Sequence, residues 1–384
     1  MAKFDVGVVE YLANSRLGPN PMVRNSLMTA QAARADSLWV PDHLNSLFPR
    51  SVMKKPYVGA AALMPRPDAC LEPWTMLGNI AAKNRIRRLK LGLAVTDTGR
   101  RNPAVTAQAV ATLHLLTKGR AILGIGTGER EGNEPYGVDW AKPVGRFIEA
   151  MATIRALWNS GGKPVTRDSE FYPLHNATFD LPPYKGKWPE VWVASHRPRM
   201  LRATGRYADG WFPAALFEPA DYKAGLETVR AAASDSGRDP TSISAANFFY
   251  VVTGRSRDDI DEALDCVAMK TFGLLVPGDA WQRHGGHHPM GDGFGGYQDI
   301  IPQVLDEQTV LSYTAQVPVS LLQQCLLTGT PDEIVDQVAE WRDFGLEYGV
   351  FANASLMQPS FKKAVAASAP FLQMLRKVRK LGSP

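Results

Sequence analysis

LKLGLAVTDTGRRNPAVTAQAVATLHLLTKGRAILGIGTGEREGNEP, residues Leu89–Pro135, reads as strand, loop, helix, strand, loop. Leu89–Val95 is short, apolar and flanked by charge, as a buried strand should be. Pro103–Leu116 opens on proline, which suits the first helical position, and leaves through Lys118-Gly119, a favoured helix exit. Ala121–Gly126 is a second apolar strand. A strand–helix–strand unit of this length specifies two parallel strands joined by a crossover.

The same alternation extends in both directions. Strands are predicted at Phe4–Val9, Ser37–Pro41, Val191–Ser195, Gly210–Pro213, Ile243–Thr253 and Tyr348–Ala354. Helices are predicted at Met22–Arg34, Trp74–Lys83, Pro143–Trp158, Pro198–Tyr207, Pro219–Ser236, Arg257–Lys270, Pro331–Phe344 (with Thr330 as N-cap) and Phe361–Leu381. Eight strands favour closure, because a closed parallel sheet has no edges. The expected architecture is a (β/α)₈ TIM barrel of class α/β, one domain over residues 1–384. Three insertions interrupt it, at about 44–73, 132–142 and 271–329. Insertions after strands belong at the C-terminal face, where active sites form. The third follows a helix, so its side is open.

Composition narrows the function classes. The net charge of +5 suits an anionic small ligand better than a nucleic-acid track, which needs a clustered basic stripe. Cys70, Cys266 and Cys325 form neither a disulfide framework nor a zinc pattern. With no signal-peptide or transmembrane pattern, a cytoplasmic setting is expected. His284, His287 and His288 lie in a glycine-rich loop without a matched carboxylate, so no metal is expected.

Four strand ends carry the candidate chemistry. Asp42-His43 follows the second strand, and a histidine there can exchange a proton near neutrality; packing under the next loop is the alternative. Gly124–Glu129, GIGTGE, looks like a dinucleotide fingerprint, but the next helix waits until Pro143, so that reading fails. The glycines instead would let a flat ring approach the backbone, with Glu129 near His43 as its acid–base partner. Ala94-Val95-Thr96 ends the third strand with small residues. Arg100 and Arg101 beyond it could hold an anionic tail or form a solvated charge pair. Ala194-Ser195-His196-Arg197 runs into a helix N-terminus, where an anion would find backbone N–H groups, Ser195 and Arg197.

Taken in order, DH after the second strand, the segment Leu89–Pro135 and ADGW at Ala208–Trp211 resemble the luciferase-like superfamily, in particular its branch that uses the deazaflavin coenzyme F420. The resemblance implies that His43 is catalytic and that Glu129 sits near the pyrimidine end of the ring. It further implies that Asp42, Asn133, Ala194, Ser195 and His196 contact the cofactor, and that Ala94-Val95 is a non-proline cis peptide beneath the ring. Arg101 and Arg197 are expected on the anionic tail. The sugar-phosphate dehydrogenases of that branch carry Thr and Lys after the sixth strand, where this chain has Pro213-Ala214-Ala215-Leu216-Phe217. Leu47 stands where they have an active-site tryptophan. A buried phosphate would have no partner here, and Leu47 and Phe217 suit an apolar substrate. The resemblance thus implies reduction of the ketone of a long-chain lipid by reduced F420. FMN-dependent oxygenation of an aliphatic compound is the alternative, and a non-catalytic flavin or lipid binder a further one. A homodimer and peripheral membrane contact are the expected associations.

Overall fold

A computed structural model describes residues 3–86, 88–214 and 218–382. Eight parallel strands form the barrel: β1 (Asp5–Val9), β2 (Ser37–Val40), β3 (Lys90–Leu93), β4 (Ala121–Gly126), β5 (Glu190–Val193), β6 (Gly210–Trp211), β7 (Ser244–Thr253) and β8 (Tyr348–Asn353). They pair in sequence order from β1 to β7, β7 pairs β8, and β8 returns to β1, so the sheet closes. Representative registers are Trp39 opposite Gly92, Trp192 opposite Gly210 and Gly7 opposite Val350.

The helices that cover it are α1 (Pro19–Ala33), α2 (Pro73–Lys83), α3 (Pro103–Leu116), α4 (Pro143–Trp158), α5 (Pro198–Tyr207), α6 (Pro219–Asp235), α7 (Pro331–Asp343) and α8 (Ser368–Val378). Each of α1–α7 opens on proline, whose fixed φ suits the first helical turn and whose missing N–H costs nothing there. Thr330 caps α7 in a reciprocal box with Glu333. Two predicted helices are broken. Arg257–Lys270 splits at extended Cys266, which lets Ala268 pack with Val58 and Ala60 of the first insertion. Phe361–Leu381 splits before Ser368, because Pro370 cannot donate back to the Ala366 carbonyl. Several short strands lie outside the prediction: Thr96–Asp97 against β4, Leu327–Gly329 against the end of β7, and the hairpin Val165–Arg167/Leu174–Ala177.

Aromatic rings fill the bore. Trp39 lies 5.1 Å from Trp192 and 4.7 Å from Phe212, centroid to centroid, and Trp192 lies 5.0 Å from Tyr348. The Trp39 ring needs Gly92 opposite, where a Cβ would come within 2.4 Å of it. The barrel is therefore a packed core, open only at its ends.

All three insertions gather at the C-terminal ends of the strands. The third meets the first through Gln303 to the Ser46 carbonyl (2.7 Å), Ser51 to the Leu305 carbonyl (2.9 Å) and Tyr57 to Glu307 (2.7 Å). The second meets the first through Tyr136 to Asn45 (2.9 Å). The third insertion carries helices at Gly278–Arg283, Glu307–Thr314 and Val319–Cys325. Its three histidines are occupied within it: His284 with Ser320 and Gln324, His287 with Asp292, and His288 against Trp281 and Phe294.

Candidate active site

β2 ends at Val40, and Asp42 follows as a buried carboxylate. It accepts from Arg101 through Nε (2.8 Å) and a terminal nitrogen (3.0 Å), and from Thr96 Oγ1 (2.6 Å). Arg100 donates to the Asp42 carbonyl (2.6 Å) and to Asp97 (2.6 Å). Burial alone would raise the Asp42 pKa, but the hydrogen bond from Arg101 and the charges of both arginines hold it below the usual carboxylate range. This lattice ties the end of β2 to the end of β3. Of the two readings of Arg100 and Arg101, the solvated charge pair is corrected, since both are engaged with buried acids, and the guanidinium of Arg101, expected on an anionic tail, is turned to Asp42. Arg101 also pairs with Glu72 at 3.0 Å.

His43 stands on that platform. Its Nδ1 lies 2.7 Å from Glu131 Oε1 and 3.7 Å from Glu129 Oε2. The side chain of Glu131 is 0% exposed, that of Glu129 29%. Burial opposes the imidazolium, but the Glu131 hydrogen bond and the charges of both glutamates outweigh it and raise the His43 pKa to about 9. Glu129 is raised to about 7: burial leads, the charges of Glu131 and Asp97 add to it, and those of His43 and Arg100 oppose it. His43 is therefore an acid at neutral pH, beside a carboxyl group poised near neutrality. The three donor atoms lie within 4.8 Å of one another. A cation could use His43 Nδ1 only after that proton had left.

Around this cluster, Ala94–Val95 is a cis peptide. The sequence reading that Gly124 lets a flat ring approach the backbone is corrected. A Cβ there would lie 1.7 Å from the Leu93 carbonyl oxygen, so the neighbouring strand already fills the space. At Gly126, by contrast, a built Cβ would meet Val95 and Ala194 only at ordinary contact distances of 3.4–3.6 Å. Asn133 is buried and donates to the Glu129 carbonyl (2.8 Å). Its Oδ1, Thr98 Oγ1 and Glu131 Oε2 are buried with no hydrogen-bond partner among the described residues.

At the end of β5, Ala194 lies beside Gly126. The Ser195 hydroxyl is turned away to Thr204 (2.7 Å), so it does not reinforce an anion site as expected; only its backbone remains for that purpose. His196 and Arg197 are exposed. Leu47 is half-buried beside Phe48, whose ring meets Phe272 of the third insertion at 4.9 Å. Phe217 lies outside the described residues.

Sequence reasoning missed Glu131, Asp97, and the phenols Tyr250 and Tyr297, which feel the charge of Glu129. The Glu-x-Glu spacing was the available signal for Glu131. Glu129 is extended, and the 3₁₀ turn Arg130–Gly132 brings the second carboxylate back to the imidazole.

A closed parallel barrel with a histidine–carboxylate cluster at the C-terminal mouth defines the class, and the chain belongs to the luciferase-like monooxygenase family, which matches residues 22–348. Within it, the chain is 61% identical over 376 residues to the phthiodiolone/phenolphthiodiolone dimycocerosates ketoreductase of Mycobacterium bovis (strain BCG / Pasteur 1173P2), covering 98% of each. It is 62% identical over 368 residues to the same-named protein of Mycobacterium kansasii, covering 96% of this chain and 100% of that one. Among solved structures, an F420-dependent secondary alcohol dehydrogenase in complex with an F420-acetone adduct superposes with a TM-score of 0.73 at 20% identity, over 98% and 99% of the two chains. That last likeness is one of fold.

Proposed function

We propose that this chain is an F420-dependent ketoreductase acting on the ketone of a long-chain lipid. The observation that carries the reading is the convergence of His43 with Glu129 and Glu131 at the barrel mouth. The ketoreductase names of the relatives and their end-to-end identity support it.

The residues at the mouth suit a flat polar ring. Asn133 Oδ1 and Thr98 Oγ1, without a hydrogen-bond partner among the described residues, offer hydrogen-bonding atoms, and the ring would lie over Gly126, in the slot between Val95 and Ala194. Ala94, Val95, Thr96 and Asn133 would hold the ring. Asp42 would act through its grip on Thr96, and the turn Ala194–His196 with Arg197 would take the anionic tail. Arg101 would contribute by fixing Asp42. When bound, reduced F420 supplies the hydride for the ketone carbon.

This chain's own residues then manage protons. His43, protonated at neutral pH, donates to the alkoxide that develops on the substrate oxygen. Glu129, partly exposed at the mouth, accepts the proton that the ring releases. Glu129, 29% exposed, can pass that proton on to solvent, and the imidazole regains its own at Nε2, the nitrogen that gave it up. Leu47, half-buried beside Phe48, would line the apolar side of the substrate pocket.

Anaerobic mixing of reduced F420 with ketones of increasing chain length, following cofactor reoxidation, tests the reading. Reoxidation that rises with chain length is expected. Titration with FMN tests the alternative of a flavin monooxygenase, which would bind FMN and consume oxygen. A homodimer is also proposed. Exposed Val105 and Leu116 on α3, 58% and 61% accessible, are apolar side chains of the kind a partner would cover; sedimentation would show it. Peripheral membrane contact would appear as co-flotation with vesicles. Among the described residues no helix is long and apolar enough to cross a membrane.

A further inference from the structure

Two carboxylates approach one nitrogen of His43, and they do not do so equally. Glu131 Oε1 is at hydrogen-bonding distance, 2.7 Å, whereas Glu129 Oε2 stands off at 3.7 Å. Glu131 is fully buried and its second oxygen has no partner among the described residues, so His43 is the one hydrogen-bond donor its carboxylate has there. A carboxylate so placed holds its donor firmly, because an unpaired buried charge is costly. Its backbone is fixed as well. It sits inside the 3₁₀ turn Arg130–Gly132, closed by Asn133 N–H to the Arg130 carbonyl (3.1 Å), with the Asn133 side chain holding the Glu129 carbonyl (2.8 Å). Glu129, by contrast, keeps a face toward the open mouth.

Resting on the ketoreductase reading, we propose that Glu131 is a positioning residue: by accepting the Nδ1 proton it fixes the tautomer and orientation of His43, leaving Nε2 as the nitrogen that serves the substrate and Glu129 free to serve the cofactor. A histidine ring can present only one of its two nitrogens to a given point. A ring free to flip would present the wrong one part of the time, and a neutral ring could carry its single proton on either. Glu131 removes both freedoms without touching substrate. The raised His43 pKa follows from the same contact, since the Glu131 hydrogen bond is the largest influence favouring the charged form.

The first measurement needs neither cofactor nor substrate. Nitrogen-15-labelled histidine in the full chain reports the titration midpoint and tautomer of His43 directly. In the native protein the proton should reside on Nδ1 above the midpoint, and Glu131→Gln should move the midpoint down by at least one pH unit. Glu129→Gln should move it less. A larger movement with Glu129→Gln, or a neutral native ring with its proton on Nε2, would overturn the proposal. The native tautomer decides this even if Glu131→Gln does not fold.

The second measurement is the pH profile of ketone reduction. Glu131→Gln should bring the basic limb of kcat/KM down by at least one pH unit, with KM for the ketone changed less than twofold. Glu131→Asp should restore part of the native limb. An unmoved limb in a folded Glu131→Gln variant would sink the positioning role. Loss of the ketoreductase reading has a different signature: the native protein would reoxidise no reduced F420 with any ketone, while the labelled histidine behaved as described.

Discussion

Arg101 grips Asp42 from two of its nitrogens, at 2.8 and 3.0 Å, across the gap between the ends of β3 and β2. Asp42 is 2% exposed, so its charge depends on this grip and on Arg100. Breaking a buried pair by removing one partner costs about 3–5 kcal/mol. Arg100 remains near Asp42, so Arg101→Ala should cost about 3 kcal/mol, the lower end of that range, read as a lower midpoint of denaturant unfolding. The folded-state pKa of Asp42 is depressed. Its contribution is therefore present above the ordinary carboxylate pKa and is lost as pH falls through the depressed value. The gap between native protein and Arg101→Ala should close on acidification; a gap constant to low pH would contradict the assignment.

The proton chemistry predicts a bell. Reduction requires Glu129 ionised and His43 protonated, so kcat/KM should rise through about pH 7 and fall through about pH 9. His43→Ala should cut turnover by roughly 10²–10⁴-fold with cofactor affinity nearly unchanged. Because the folded pKa of His43 is raised, its contribution to stability is complete below about pH 6.5 and fades as pH rises through about 9. A flat pH profile between 6 and 10, or an active His43→Ala, would remove the histidine from the mechanism.

Gly124 and Gly126 make opposite predictions although they lie two residues apart on β4. Gly124→Ala would place a methyl group 1.7 Å from the Leu93 carbonyl oxygen. The backbone must move, and a cost above about 3 kcal/mol is expected. Gly126→Ala meets its neighbours only at 3.4 Å and beyond. Its melting temperature should stay close to native, while the methyl occupies the slot proposed for the ring and weakens cofactor binding at least tenfold. Equal behaviour of the two variants in both assays would show that the slot is misplaced.

The pattern of apolar strands and proline-led helices was enough to read the barrel, because each unit announces its own period and its own start. β4, α3 and α5 fall where the sequence places them, and His43 and Glu129 do meet. What local pattern could not supply was pairing over distance. The engagement of Arg101 with Asp42, 59 residues away, is invisible to any window of sequence, so Arg101 read as a ligand for an anionic tail or as solvated charge. Glu131 was overlooked because its role depends on a turn that brings it back to a residue 88 positions earlier. Gly124 was assigned to a ligand because a glycine in a strand does not say what occupies the space beside it. The third insertion could not be placed for the same reason: its contacts with Ser46, Ser51 and Tyr57 span some 250 residues.

Those long-range contacts define how the mouth is covered. Phe272, 2% exposed, meets the edge of Phe48 at 4.9 Å and of Tyr250 at 4.8 Å, so one ring joins the first insertion, the third insertion and the end of β7. Truncating a buried phenylalanine to alanine costs about 3–5 kcal/mol. Here much of that loss should fall on the cover, because the barrel has its own separate core around Trp39 and Trp192. Phe272→Ala should therefore speed proteolytic cleavage within the glycine-rich segment at residues 284–296 by at least tenfold, and raise KM for long-chain ketones more than for short ones. Cleavage at the native rate, or an equal rise for both ketone classes, would show that the ring does not tie the cover to the mouth.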